Sequence, residues 1–342
     1  MKYTFLIPYI LLLLSIFSCS ESKKENFNIE GKTMGTYYLV KIVSSPKGLT
    51  LKKIKKEIEI TLININQQLS NWDNFSEISV LNKNKSHRPI KISKNLSNVI
   101  NAANAINIKS YGFLDITIDP LIELWGFGYK NKKQNVPTNI EIENALKFVN
   151  QKKLIQLDFK NNMITKIQKN VSINLSSIAK GYGIDMIGKK LKKLGIKNYL
   201  IDIGGDILTH GVNSKFQNWV IGIENPNLKK KLIKEIVNVS NKGIATSGDY
   251  KNYYKENGKR YSHIINPKTG KPIEHLTKSV TVVHDDAMTA DGWATALLAM
   301  GSLKGLKLAE EQNIAVLFIS KENNQLVKIK SSQFKKINEV NN

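Results

Sequence analysis

Residues able to do phosphate and hydroxyl chemistry fall in five patches of this chain. The most pointed is Ala287-Met288-Thr289-Ala290-Asp291-Gly292-Trp293-Ala294-Thr295-Ala296. On a helix Asp291 and Thr295 stand at i and i+4, so both oxygens face the same way. The flanking Ala290, Ala294, Leu297 and Leu298 predict a buried helix, where a carboxylate is costly unless paired or bound to a cation. Few protein oxygens together with a substrate phosphate make a Mg²⁺ pattern; an Asp facing solvent is the plainer alternative. Upstream, Tyr261 to Gly270 puts His263 at a strand end before an Asn266-Pro267 turn. Such a histidine is either a base or simply structural.

A second patch runs from Asn174 to Asp185. Its Ser176-Ser177 pair at a helix start would leave backbone N–H groups free to attract an anion, with Lys180 one turn in; a plain helix cap would look the same. Asp202-Ile203-Gly204-Gly205-Asp206 follows, a strand ending in a turn that either lets backbone approach a ligand or closes a hairpin. Gly112 to Gly128 holds Asp115 and Asp119, spaced to offer oxygens to one site. Asp119-Pro120 also reads as a helix start with Asp119 as its cap, which is the reading adopted for Asp119. In Leu69 to Asn82, Ser76 and Ser79 suggest a capping turn, while Trp72 and Phe75 are either core anchors or a stack for a planar ring. Gly31-Lys32-Thr33-Met34-Gly35-Thr36 is a tight turn or a glycine-rich approach to phosphate, but not a P-loop, since no Lys-Ser/Thr follows its second glycine.

The elements that must position these patches are legible in part. Leu51, Ile54, Ile58, Leu62, Ile65 and Leu69 step by three or four, as on an amphipathic helix. A weaker pattern covers Leu96 to Ile106. Ile178, Tyr182, Ile187, Leu191 and Leu194 mark a helix stopped by Gly195, and Asp286 to Met300 one stopped by Gly301. Strands are expected at Tyr37–Val43, Tyr199–Ile203, Trp219–Ile223, Val280–Val283 and Ala315–Ile319. Without a strict βαβ alternation the class is α+β, mixed sheets with packed helices. Tyr129–Asn139 reads as a surface loop.

The chain has 342 residues and a net charge of +23, from 51 basic and 28 acidic side chains. The basic residues are almost all lysine, Arg88 and Arg260 being the exceptions, and no basic block is interleaved with aromatics. A solvated lysine surface therefore fits better than a nucleic-acid partner. Residues 1–18 read as a signal peptide: Lys2, then an apolar stretch from Phe5 to Phe17 too short to span a bilayer. The single cysteine, Cys19, lies at the cleavage point, where a lipobox would make it the acylated first residue, anchored on a membrane. Ordinary secretion with a free thiol is the alternative. The expected layout is signal peptide 1–18, tether 19–30 and one catalytic domain 31–335.

Taken in order, these patches resemble the FAD:protein FMN transferases, the ApbE family of flavin transferases. The pieces carrying the resemblance are Met34-Gly35-Thr36, Ser76-Glu77-Ile78-Ser79 with Leu81-Asn82, Phe113 to Phe127, Ile178 to Asp185, Thr246-Ser247-Gly248-Asp249-Tyr250, His263 to Gly270, and Ala290-Asp291 to Thr295. The resemblance implies an ApbE-like fold, FAD as substrate, Mg²⁺ as cofactor, and transfer of FMN to a Ser/Thr hydroxyl of a target protein with release of AMP. It implies FAD contacts at Met34, Trp72, Phe113, Leu114, Asp115, Asn174 and Lys180, Mg²⁺ ligands at Ser177 (by its carbonyl), Asp291 and Thr295, and a proton acceptor at His263. It also implies a lipoprotein facing the periplasm, on the inner or the outer membrane, and acceptors among subunits of exported or membrane redox complexes. Asn174 and Asn266 stand where the family commonly has Asp. A Mg²⁺-dependent FAD pyrophosphatase and a non-catalytic flavin-binding lipoprotein are the competing functions.

Overall fold

The structure, a computed structural model, describes residues 26–130, 134–226, 233–250, 252–323 and 325–339. Cys19 and the expected signal peptide lie outside them. In chain order, β1 (Asn26–Thr33) and β2 (Thr36–Val43) lead to α1 (Leu51–Leu69), α2 (Glu77–Lys83), β3 (Ile90–Lys91), α3 (Lys94–Lys109), α4 (Asp119–Leu124), α5 (Asn139–Leu146) and α6 (Gln151–Leu154). Then come β4 (Ile155–Asp158), β5 (Met163–Lys166), α7 (Ala179–Lys193), β6 (Tyr199–Ile203), β7 (Asp206–His210), β8 (Trp219–Glu224), β9 (Ile233–Val239) and β10 (Gly243–Gly248). The chain continues through β11 (Tyr253–Glu256), β12 (Lys259–Ser262), β13 (Ile265–Asn266), β14 (Lys271–Pro272), β15 (Thr277–His284), α8 (Ala287–Met300), α9 (Ser302–Glu311), β16 (Ala315–Glu322), β17 (Gln325–Lys330) and α10 (Ser332–Glu339). The class is α+β, as expected. No described helix is long and apolar enough to cross a membrane.

The frame is an eight-stranded antiparallel sheet in the order β1-β2-β6-β7-β10-β15-β16-β17. Its side chains alternate between two buried faces. Ile201, Ile203, Val282 and Phe318 join clusters under α1, α3, α7 and α8, whereas Leu200, Val283, Leu317 and Ile319 pack under the β8–β9 ribbon with Phe334 of α10. With both faces covered, the central strands can be apolar at nearly every position. α8 is correspondingly buried on almost all sides, lying on β10 and β15 with α3 and α7 against it.

Helices α7 and α8 cap each other. The Asp185 carboxylate, on α7, accepts the N–H groups of Ala287 and Met288 at 2.9 Å, and Asp291, on α8, accepts the N–H of Gly181 at 2.9 Å. Each carboxylate meets a helix N-terminus, where free donors and the macrodipole favour negative charge. The seam leaves no room for a side chain: a Cβ on Gly181 would lie 2.3 Å from the Ala287 carbonyl oxygen.

Two expectations need correction. β1 begins at Asn26, so residues 26–30 belong to the sheet and not to a tether; Asn28↔Lys41 to Glu30↔Leu39 are paired. Its polar sequence suits an edge strand in which Ile29 alone of these five is buried. Asp119 is not the cap of α4. It sits inside the helix start, and its carboxylate takes Ser172 Oγ at 2.6 Å and Asn174 Nδ2 at 3.0 Å.

The glycine at the α7–α8 seam gives a direct test. Gly181→Ala should destabilise the protein by about 1–3 kcal/mol, because backbone must move to admit the methyl, and thermal unfolding should show Tm lower by a few degrees.

Candidate active site

A cavity of about 400 Å³ lies between the N-terminus of α7, one face of α8 and the loops before α4 and β13. Its wall contains Trp72, Phe113, Leu114, Asp115, Asn174, Ser177, Lys180, His263, Asp291 and Thr295, bringing patches from distant parts of the sequence together. Met34 stands apart from that wall. It occupies the two-residue β1–β2 turn with Gly35, both at positive φ (50° and 72°), and its side chain packs onto Gly183 of α7.

The polar end is built on α7 and α8. Asp291 is 5% exposed, and burial pushes its carboxyl above the ordinary carboxylate range, opposed by the nearby Lys180 ammonium and the Gly181 N–H. Lys180 also pairs with Asp206, whose other oxygen accepts the Thr246 N–H at 3.1 Å. Asp206 reaches this position because Gly204 and Gly205, at φ 58° and 96°, close a two-residue β6–β7 hairpin. The turn closes a hairpin, and Gly204 also lines the cavity. Thr295, one turn after Asp291, shares a hydrogen bond with Ser247 Oγ at 3.1 Å. The donors here are all oxygens, namely a buried carboxylate, a hydroxyl and the Ser177 segment, which suits a hard cation. Among the described residues no three His, Cys, Asp or Glu side chains gather as ligands. A cation here would therefore complete its shell with hydroxyl and carbonyl oxygens, water or a bound phosphate.

The opposite wall carries the histidine. His263 follows β12; its backbone N–H and its Nδ1 both meet the Asn252 carbonyl, at 3.2 and 2.8 Å. A carbonyl only accepts, so Nδ1 carries the hydrogen and Nε2 keeps its lone pair. Burial lowers the imidazole pKa, which favours the neutral base. Phe127 meets the ring edge-on, with centroids 6.3 Å apart. The β11–β12 hairpin between Asn252 and His263 is clamped by Arg260, which donates to Asp249 Oδ2 at 2.9 Å and lies over the Tyr253 ring, while Lys278 reaches the same Asp249 oxygen at 3.0 Å.

The third wall is aromatic. Trp72 is 68% exposed and meets Tyr129 edge-on at 6.4 Å, with half-buried Phe113 on the same cavity. Trp72 is thus no core anchor. Leu114 and Asp115 are buried parts of the wall. Asp115 accepts Thr117 N–H at 2.8 Å and Gln151 N–H at 2.9 Å, which pins its loop to α6. Asn174 is likewise occupied internally: Nδ2 donates to Asp119, and Oδ1 accepts the N–H of Ser176 at 3.0 Å and its hydroxyl at 2.7 Å.

Several contributors were not singled out by residue type and spacing. Tyr129, expected at the start of a surface loop, is half-buried in the cavity wall; its place beside Trp125-Gly126-Phe127-Gly128 was the available signal. Asn252 lies in a polar stretch without any signal of its own. Asp206 was visible only as the end of the Gly-Gly turn.

The chain belongs to the ApbE family, whose model matches residues 34–318. It is 38% identical to the FAD:protein FMN transferase of Vibrio cholerae over 323 residues, 94% of this chain and 96% of that one. It is 37% identical to the FAD:protein FMN transferase of Haemophilus influenzae, covering 97% and 96%. Among solved structures, the flavin transferase ApbE from Vibrio cholerae superposes with a TM-score of 0.85 at 36% identity, covering 92% of this chain and 99% of that one. The apo flavinyl transferase ApbE of Pseudomonas stutzeri gives 0.84 at 32% identity, with 92% and 97% coverage.

The buried Asp291 separates two variants. Its raised pKa means that stability present below the ordinary carboxylate value of 3.8 is lost as pH rises through the folded-state value. Asp291→Asn keeps an acceptor for the Gly181 N–H and removes the charge, so at pH 8 its Tm in metal-free buffer should equal or exceed wild type. Asp291→Ala strands that N–H and should cost about 1–3 kcal/mol. Calorimetry of both variants in chelator checks the ordering.

Proposed function

We propose that this chain transfers the FMN moiety of FAD to a Thr or Ser hydroxyl of an acceptor protein and releases AMP. The observation that carries the reading is one cavity holding an aromatic wall, a cation-friendly oxygen set beside Lys180, and a neutral His263 with its Nε2 lone pair free of the Asn252 contact. Trp72, Phe113 and Tyr129 offer faces and edges on which an isoalloxazine could stack. Lys180, shared between Asp206 and Asp291, would neutralise the pyrophosphate.

In the transfer step the acceptor hydroxyl oxygen attacks the phosphorus of the FMN half. The new P–O bond forms as the bond to the AMP phosphate breaks, and the hydroxyl proton passes to His263 Nε2. Positioning and charge neutralisation carry most of such a reaction. Asp291, Thr295 and the Ser177 carbonyl would hold Mg²⁺ against the pyrophosphate, which when bound supplies Lewis-acid stabilisation of the leaving phosphate. The acceptors fitting the family are subunits of exported or membrane redox complexes, of the Rnf or sodium-pumping NADH:quinone reductase kind. In this proposal the protein acts as a lipoprotein acylated at Cys19 and facing the periplasm.

The test is in-gel flavin fluorescence and an added FMN mass on a purified Rnf-type acceptor domain, incubated with the enzyme, FAD and Mg²⁺. Labelling lost on chelation and in Asp291→Ala is expected. Release of FMN and AMP without labelling would instead favour the pyrophosphatase, and FAD bound with no AMP release a carrier. Asp291→Asn should lose the Tm gain that millimolar Mg²⁺ gives wild type. His263→Ala should slow labelling by about 10²–10⁴-fold. Because burial holds the imidazole below its ordinary value of 6.5, the wild-type rate should be flat at neutral pH and fall only on the acid side of 6.5, a limb that His263→Ala should lack.

A further inference from the structure

A second cavity, of about 670 Å³, opens beside the first and shares two wall residues with it, Phe113 and Ala299. Two elements run from one into the other. Along α8, Asp291, Thr295 and Ala299 follow at one-turn spacing, so the groove begins about 12 Å along the helix from the carboxylate. Along the β13–β14 hairpin and the residues flanking it, His263, Ile264 and Ile265 line the first cavity, while Asn266, Pro272 and Ile273 line the second. The groove therefore adjoins the cavity that holds the oxygen set and the histidine, with Phe113 and Ala299 on both walls.

Its chemistry differs from that of the first cavity. Pro272, Ile273, Leu276, Met300 and Leu303 give it an apolar floor and rim. Leu276 is 57% exposed and Leu303 90%, two large aliphatic side chains offered to solvent at one edge. Its charges lie at the rim and are mixed: Lys271 and Lys304 against Glu322 and Glu274, the last paired with Lys259 at 2.6 Å. Nothing there matches Lys180 beside the buried Asp291, so a dianionic dinucleotide suits the first cavity and a polypeptide the second.

We propose that this groove seats the extended segment of the acceptor protein that carries the hydroxyl, with apolar side chains of that segment against Leu276 and Leu303. The inference rests on the transferase reading above. It assigns the second substrate a place: the segment lies along the groove and passes Phe113 and Ala299, and its hydroxyl enters between His263 and the phosphate. Phe113 is then a shared wall between flavin and acceptor.

The test is steady-state labelling of the same acceptor domain by the full chain carrying Leu276→Asp and Leu303→Asp, singly and together. Val220→Asp is the control, exposed on β8 and lining neither cavity. Both leucines are exposed, so the fold should survive, and FAD binding read by flavin fluorescence verifies it. The expected result is an acceptor KM raised at least tenfold in the double variant, with FAD affinity and kcat at saturating acceptor unchanged, and no change in Val220→Asp. An unchanged acceptor KM in the double variant would overturn the groove while leaving the transferase intact. Parallel loss of FAD affinity would reassign the groove to the nucleotide. Failure of wild type to label any acceptor would overturn the transferase reading and the groove with it.

Discussion

The crossed aspartate caps between α7 and α8 are the interaction on which the rest of the structure depends. Two helices packed so closely that one needs Gly181 at the contact bring their N-terminal N–H groups into the interior. There, unsatisfied donors would cost about 1–3 kcal/mol each. Asp185 and Asp291 satisfy three of them. The exchange is reciprocal, so neither helix can shift along the other without breaking caps at both ends. Burial pushes both carboxyls up, Asp185 to about 7. Asp185 lies outside the wall of the active-site cavity. For Asp291 the exchange leaves a carboxylate facing a cavity in a position that the sheet below cannot relax.

That rigidity explains how a costly group persists. A buried anion is tolerated when compensation is built in, and here the compensation comes from the α7 N-terminus, the Gly181 N–H and Lys180. Lys180 in turn is divided between Asp291 and Asp206, and Asp206 is held by the Thr246 N–H and the Gly204-Gly205 turn. The site thus joins α7, α8, β7 and β10 through one chain of charges. A pyrophosphate entering this chain competes with carboxylates for Lys180, and a cation beside Asp291 would offset the loss. In the proposed reaction the two ligands would support one another's binding on electrostatic grounds alone.

The sequence made some of this legible. Helices α1, α3, α7 and α8 follow from apolar steps of three and four and from Gly195 and Gly301 at positive φ. The five expected strands are present, four of them within longer strands and Tyr199–Ile203 as β6 itself. What periodicity could not reveal were elements stabilised by their neighbours: the polar edge strand β1, the short hairpins β11–β12 and β13–β14, and the β9 partner of β8. The chemically typed residues were readable, because Asp291, Thr295, Lys180 and His263 stand out in apolar or glycine-rich surroundings. Their partners were not. Asp185, Asp206, Asp249 and Asn252 look like ordinary surface residues until the fold brings a helix end, a lysine, an arginine or a histidine to them. Asp119-Pro120 misled because the dipeptide does start a helix, but its carboxylate is drawn across to Ser172 and Asn174.

That last contact bears on position 174, one of the two places where the resemblance implies an aspartate in the family. An aspartate at 174 would set two carboxylates about 3 Å apart beside buried Asp119, and like charges at that distance raise one another's pKa strongly. The amide removes the conflict: it donates to Asp119 and keeps the acceptor that holds Ser176 and orders the Ser177 segment. Asn266 Oδ1 accepts the Lys268 N–H at 2.9 Å, a turn contact that needs an oxygen but no charge. Asn174 therefore preserves the contacts that order the Ser177 segment, and Asn266 those of the β13–β14 turn. The negative charge that Asn174 forgoes is absent from the wall of a cavity whose proposed substrate is itself an anion, whereas Asn266 lines the second cavity, away from that substrate.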